Sequence, residues 1–283
     1  MADALIADLP GAEEIYDRAA GENFSVASFL VGRAARRHLV AIYGYARLVD
    51  QIGDAAAGDR PALLDRFEAD LDRIFAGTEP VHPVLRRLAP TVHELDLPRG
   101  PFARLIEANR RDQERVRYET YEELLGYCAL SANPVGELVL HVFGAATDDR
   151  IALSDRICSA LQLAEHWQDV AEDRAAGRIY LPAEDLARFE VAETDLDAST
   201  TGTNLRKLMG FEVARARELL DAGAPLVGRL GGRARIAVAG YVAGGRAALD
   251  AIDAARHDVL AGPPRASAAR RVWPTLELLA RGA

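Results

Sequence analysis

The sequence predicts an all-α protein. Three observations carry this. Long segments rich in Ala, Leu, Arg and Glu dominate. Alternating apolar/polar runs of the strand type are scarce. Breaks containing glycine and proline divide the chain into helix-sized pieces. At 283 residues, 49% of them hydrophobic, the chain can bury a sizeable core. It shows no internal repeat, no low-complexity tract and no linker long enough to split it, so a single domain over 1–283 is the simplest account.

The first helix is predicted near 26–52, before the break from Gly58 to Pro61. A second, near 61–76, stops at the stretch from Thr78 to Pro83. A third, near 99–117, follows the break from Pro98 to Pro101. The fourth, 120–144, contains Asn133-Pro134, with Gly136 two residues on. Proline lacks a backbone donor and crowds the preceding turn, so this element is expected to kink or break briefly. The fifth, 150–174, runs up to the break from Gly177 to Pro182. Gly223 to Gly232 separates the sixth (203–222) from the seventh (232–260), and Gly262-Pro263-Pro264 closes the seventh. A shorter helix is expected near 266–281.

Against 34 basic residues stand 43 acidic ones, a formal charge of −9. A general nucleic-acid binder would more often be basic, so no nucleic-acid partner is expected. Cys128 and Cys158 are the two cysteines, too few for a disulfide framework or a Cys-based zinc site. The start, MADALIADLPGAEE, lacks a basic region followed by an apolar stretch, and no run of 18 apolar residues occurs. A cytoplasmic location is expected, with peripheral membrane contact left open.

Two acidic sets stand out. Asp50 and Asp54 are four residues apart, and so are Glu165, Asp169 and Asp173. On a helix such residues share a face, where like charges repel. Hard divalent cations bound by carboxylate oxygens supply the counter-charge. Tyr43 and Arg47 continue the first face toward the N-terminus. An Arg fork beside a carboxylate-held Mg²⁺ suits a diphosphate; the bland alternative is a solvated face with an Arg–Asp pair. The second set lengthens into a polar stripe through Gln162, on a helix whose Leu161, Leu163, Trp167 and Val170 call for burial. Buried carboxylates need partners, so the stripe points to an interior cavity. Beyond the helix, Arg178 and Tyr180 can fold over a bound anion, or Arg178 can satisfy last-turn carbonyls. Trp167 is expected in the core and His166 as a packed or surface residue. Tyr127 and Tyr241 suit either a cavity wall or packing, and the stretch AVAGYVAGG either a close helix approach or room for a ligand.

On the segments GENFSVASFL (21–30), AIYGYARLVDQIGD (41–54), YCALSANPVGELVL (127–140) and LQLAEHWQDVAEDRAAGRIYLP (161–182), the chain resembles the squalene/phytoene synthase family. The likeness runs over about 15–262 and is most like the hydroxysqualene synthase branch of the hopanoid pathway. It implies an isoprenoid synthase fold with helices around a central cavity. It also implies two or three Mg²⁺ ions held by Asp50, Asp54, Asp169 and Asp173, with Glu165 at a position where many relatives carry Asn. Arg47, Arg178 and Tyr180 would contact or cover the diphosphate, and Asn23, Phe24, Tyr43, Tyr127, Gln162 and Tyr241 would line the pocket. Gln51 and Ala55 depart from the family's usual acidic residues. The implied reaction is ionisation of an allylic prenyl diphosphate, most simply presqualene diphosphate quenched by water. The alternatives are transfer of a dimethylallyl or geranyl group to an aromatic acceptor, and a non-catalytic helical scaffold.

Overall fold

The structure is a computed structural model that describes residues 32–114 and 117–265. In chain order the helices are α1 (Arg33–Ala55), α2 (Arg60–Phe75), α3 (Pro83–Leu95), α4 (Arg99–Glu114), α5 (Tyr121–Ser131), α6 (Asn133–Val142), α7 (Asp148–Gln168), α8 (Val170–Ala175) and α9 (Ala183–Arg188). A 3-10 helix (Glu193–Asp197) comes next, then α10 (Thr203–Gly223), α11 (Leu226–Arg229) and α12 (Gly232–Ala254). Among the described residues there is no strand, only an isolated parallel bridge between Arg117 and Ile179. No helix of the described residues is long and apolar enough to cross a membrane. The expected all-α class holds.

The chain divides into two compact units, Met1–Glu114 with Pro134–Ala146, and Arg115–Asn133 with Thr147–Ala283. In the first, α1 packs on α3 and α4, and α2 packs on α4. Leu39, Ile42, Tyr45, Leu48, Val49 and Ile52 bury one face of α1 at helical spacing. The Tyr45 ring stacks on Phe67 and meets Phe102 edge-on, while its hydroxyl donates to the Phe102 carbonyl at 2.9 Å. A buried phenol with no acceptor would lose that stabilisation. Helices α1 and α4 approach closely at Gly53, where a Cβ would sit 2.1 Å from Asn109 Oδ1. Gln113 of α4 donates to the Gly53 carbonyl at 2.9 Å.

Helix α3 was not expected, because prolines punctuate it. Pro83 opens the helix, where no backbone donor is needed, and Pro90 sits inside. Buried Leu85, Leu88 and Val92 hold the helix despite the bond lost at Pro90. Its start is fixed from α2: Asp70 accepts from the backbone N–H of Val81 at 2.7 Å and of His82 at 2.8 Å. Burial lowers the His82 pKa to about 4, so its neutral ring can accept from the Val84 amide.

In the second unit α7 packs chiefly on α10, and both pack on α12. The small-residue stretch of α12 gives the expected close helix approach at Gly245. A Cβ on Gly245 would lie 2.7 Å from Leu161 of α7, whereas beside Gly240 and Gly244 nothing lies within 4 Å. The predicted 120–144 helix is broken at Ala132 into α5 and α6, as Asn133-Pro134 implied. Three expectations need correction. The predicted 150–174 helix is interrupted at Asp169 (φ −103°, ψ 17°). The predicted 232–260 helix ends at Ala254: Arg256 and His257 turn left-handed, and His257 N–H reaches the Ile252 carbonyl at 3.0 Å. That is a helix stop without glycine, and so without a sequence signal. Helix α11 is a short piece inside the expected break from Gly223 to Gly232, and α9 and the 3-10 helix lie in 183–202, where no element was predicted. The predicted 266–281 helix lies outside the described residues, as do the first residues of 26–52.

One buried charge cluster ties α9 to α10. Arg215 Nη2 lies 2.7 Å from Asp185 Oδ2 and 2.7 Å from Glu212 Oε2, and its guanidinium covers the Tyr121 ring at 3.4 Å. Two carboxylates share one cation, and Glu212 is fully buried. Desolvation raises the Glu212 pKa to about 8; Arg215 opposes the shift and Asp185 adds to it. The folded chain therefore binds a proton that the unfolded chain has released between pH about 4.5 and 8, so this group makes stability fall as pH rises through that window. Denaturant titrations of the wild type and Glu212→Gln from pH 5 to 8 should show the wild type losing stability relative to the variant as pH rises. Parallel curves would show that Glu212 does not hold that proton.

Candidate functional site

In the first unit, α1 presents Tyr43, Arg47, Asp50 and Asp54 at steps of four, three and four. Asp50 and Asp54 are exposed, and Tyr43 and Arg47 are half-buried. The face is oriented by the fully buried Leu48, Val49 and Ile52 on the other side of the helix. Asp50 Oδ1 accepts from Asn109 Nδ2 at 3.3 Å, and Asn109 also donates to the Leu105 carbonyl at 3.2 Å. Sequence reasoning missed Asn109. The available signal was the polar Asn109, Asp112 and Gln113 at i, i+3 and i+4 on α4. The Gln51 side-chain oxygen is buried and finds no donor among the described residues. The departure at 51 is therefore not a plain surface exchange.

In the second unit, α7 supplies Gln162, Glu165 and His166, Asp169 sits at the helix break, and α8 supplies Asp173. The break leaves the four-residue register intact, because Asp169 N–H still bonds Glu165 O (2.9 Å) and Asp173 N–H bonds Asp169 O (2.8 Å). Asp169 is half-buried, and desolvation raises its pKa above the usual carboxylate value, with Glu172 and Asp173 adding repulsion. Gly177 (φ 80°) ends α8 in a left-handed turn. Its N–H bonds Arg174 O at 3.0 Å, and the Arg178 N–H returns to Asp173 O at 2.8 Å. This pair of bonds is a Schellman stop. It brings the Arg178 guanidinium to 4.0 Å from Asp173 Oδ1.

Four aromatic rings form the wall behind these groups. Tyr180 stacks on His166 with ring centres 3.6 Å apart, and on Tyr118 at 5.9 Å. Tyr127 lies 5.9 Å from Tyr180 and 5.5 Å from Tyr118. All four are buried. His166 is the hub: one ring nitrogen meets Gln162 Nε2 at 3.1 Å, and the other lies 3.7 Å from Asp173 Oδ2. Sequence reasoning placed His166 as packed or surface; it is packed, between site residues. Tyr118 was not singled out. A small pocket is lined by His166, Val170, Asp173, Arg178, Tyr180 and Leu196. Trp167 is fully buried, as expected of a core residue. Tyr241 lies on α12, its phenol pushed up to about 12 by burial and, less, by Cys158 of α7. Asn23 and Phe24 lie outside the described residues.

The donor sets are carboxylate oxygens: Asp50 and Asp54 in one unit, Asp169, Asp173 and the exposed Glu165 in the other. Among the described residues no three His, Cys, Asp or Glu side chains gather as a ready-made metal cluster. Such a set fits Mg²⁺, which keeps several waters and takes one or two carboxylates plus substrate phosphate oxygens. It offers neither the Cys nor the His ligands that structural zinc sites use.

The model of the squalene/phytoene synthase family matches residues 17–275. The chain is 35% identical to a phytoene synthase of Arthrospira platensis over 212 residues, which covers 70% of this chain and 68% of that one. It is 34% identical to a hydroxysqualene synthase of Zymomonas mobilis over 203 residues, 70% of this chain and 67% of that one. Among solved structures, the squalene synthase HpnC from Alicyclobacillus acidocaldarius superposes with a TM-score of 0.82 at 42% identity, covering 89% of this chain and 94% of the other.

The turn at Gly177 can be tested by itself. A Cβ there would meet nothing within 4 Å, so Gly177→Ala adds backbone strain alone. Left-handed backbone costs an alanine about 1–2 kcal/mol, and urea denaturation should register a loss of that order. Gly177→Asn should lose less. An unchanged midpoint for the alanine variant would count against a left-handed residue at 177.

Proposed function

This chain belongs to the squalene/phytoene synthase family, and from that premise we propose that it is an enzyme of the hydroxysqualene synthase type, converting presqualene diphosphate and water to hydroxysqualene and diphosphate. As a member of the family it is a prenyl-diphosphate-using synthase. The finer reading is supported by its 42% identity to a squalene synthase; identity to hydroxysqualene synthases, 32–34%, is matched by 35–36% to phytoene synthases. The observation that carries the chemistry is Arg178, turned back by the Gly177 stop to stand beside Asp173.

Asp50, Asp54, Asp169 and Asp173 are the residues that would hold Mg²⁺, with Glu165 as a further oxygen donor. When bound, Mg²⁺ supplies Lewis-acid neutralisation of the leaving diphosphate. The chain's own residues do the rest. Arg178 in the second unit, and Arg47 as the first unit's candidate, would each offer guanidinium hydrogen bonds to diphosphate oxygens and stabilise the charge that grows as the C–O bond breaks and its electron pair leaves with the phosphate. Tyr180, fixed by stacking on His166, covers that end. Tyr127, Gln162 and Tyr241 are the second unit's candidates for the substrate-pocket wall, and Tyr43 is the first unit's. Apolar walls keep stray water from the cation until one water adds, forming the new C–O bond and releasing its proton.

Purified protein should release diphosphate from presqualene diphosphate only with Mg²⁺ present, with a C30 alcohol as the product by mass spectrometry. No release there, with turnover of geranylgeranyl diphosphate or of dimethylallyl diphosphate plus an aromatic acceptor, would replace the reading with phytoene synthesis or aromatic prenylation. In the same assay Asp54→Asn and Asp169→Asn should each abolish release while the helical circular dichroism stays at the wild-type level. Normal activity in both variants would remove those residues from the metal site.

A further inference from the structure

We propose that the 3-10 helix Glu193–Asp197, with Arg117 and Arg174, is a strap whose ion pairs position Asp173 and Arg178. The proposal rests on the diphosphate reading of that pair.

Helix α8 has six residues, starts at the break at Asp169 and stops at Gly177. A helix this short has no stability of its own in water. Val170 is its single buried residue, so one apolar anchor does not fix its orientation. The ties come from outside. Arg174, next to Asp173, donates from Nε to Asp197 Oδ1 at 2.7 Å and from Nη2 to Asp197 Oδ2 at 2.8 Å. Its Nη1 also lies 3.7 Å from Glu193 Oε2. Glu193 in turn takes Arg117 in a second fork, Nε to Oε1 at 2.7 Å and Nη2 to Oε2 at 2.5 Å. Arg117 is bridged through its backbone to Ile179, the residue between Arg178 and Tyr180.

The path is a closed ring. It leaves α8 at Arg174, crosses the 3-10 helix through Asp197 and Glu193, and returns through Arg117 to the segment just after Gly177. Leu196 drives the strap inward: it is buried and lines the pocket beside Asp173, Arg178 and Tyr180. Asp195 caps the 3-10 helix by accepting from Ala192 N–H at 2.8 Å. The strap's charged groups are spent on one another, which makes them positioning residues. Exposed ion pairs add little to global stability, but two-point forks fix direction, which is what a six-residue helix lacks.

Hydrogen exchange and calorimetry test this on the full chain. In Arg174→Gln and Asp197→Asn, amides of 170–180 should exchange about tenfold faster, the local opening expected when one fork is lost, while α10 keeps its protection. Binding of inorganic diphosphate in the presence of Mg²⁺ should weaken severalfold in both variants, and Asp197→Glu, which keeps the fork, should restore both readouts. Unchanged exchange at 170–180 in both variants overturns the strap, whatever their activity. Faster exchange with unchanged diphosphate affinity overturns it as well, because the segment then positions nothing for that ligand. A wild-type chain that binds no diphosphate overturns it too and, unlike the other outcomes, takes the functional proposal with it.

Discussion

The backbone of Gly177 sets the second acidic segment. With φ at 80° it lets the chain reverse within one residue, and the Arg178 amide closes back on the carbonyl of Asp173. A residue confined to negative φ would send the chain on past the helix end and carry Arg178 away from the carboxylate. The turn also directs the next two residues. Ile179 meets Arg117 through the backbone, and Tyr180 lands flat on His166. Cation, carboxylate and aromatic cover are thus neighbours because of one conformational freedom, exercised where the neighbouring space is empty.

The molecule handles acidic groups in two opposite ways. On α1 the Asp50 and Asp54 carboxylates are exposed, and Asp50 accepts from Asn109. Their charge stays in water, where desolvation costs little. On α10 the Glu212 carboxyl is withdrawn from water and shares Arg215 with Asp185. There the charge is managed by a proton and a guanidinium, and the group is closed to any ligand. Asp169 stands between these limits, half-buried among other carboxylates. Desolvation and the neighbouring Glu172 and Asp173 outweigh the opposing Arg265 and His166 there, so a carboxylate in that condition gains from a further cation.

Much of the fold was legible because the helices bury one face each, and 3.6-residue periodicity survives in α1, α2, α7 and α10. Legibility failed where local signals and tertiary contacts disagree. Pro83 and Pro90 read as breakers, yet Asp70 from a neighbouring helix fastens the start of α3. Arg256 and His257 adopt the left-handed turn that glycine usually announces. The carboxylate ladder of the site was legible from its spacing, and its register does survive the break at Asp169. His166 as hub, Tyr118 in the aromatic wall and Asn109 under Asp50 were not, since each is defined by what another element brings to it.

The close approach of Gly53 to Asn109 has a consequence for how these helices can change. A methyl group at 53 would collide with the asparagine that steadies Asp50. A larger residue at 53 therefore requires the Asn109 side chain to move or shrink, and either change disturbs the donor to Asp50. The two positions form one unit of variation, and the spacing of α1 from α4 is recorded in them jointly. A change at 53 therefore reaches Asp50 through its neighbour on α4.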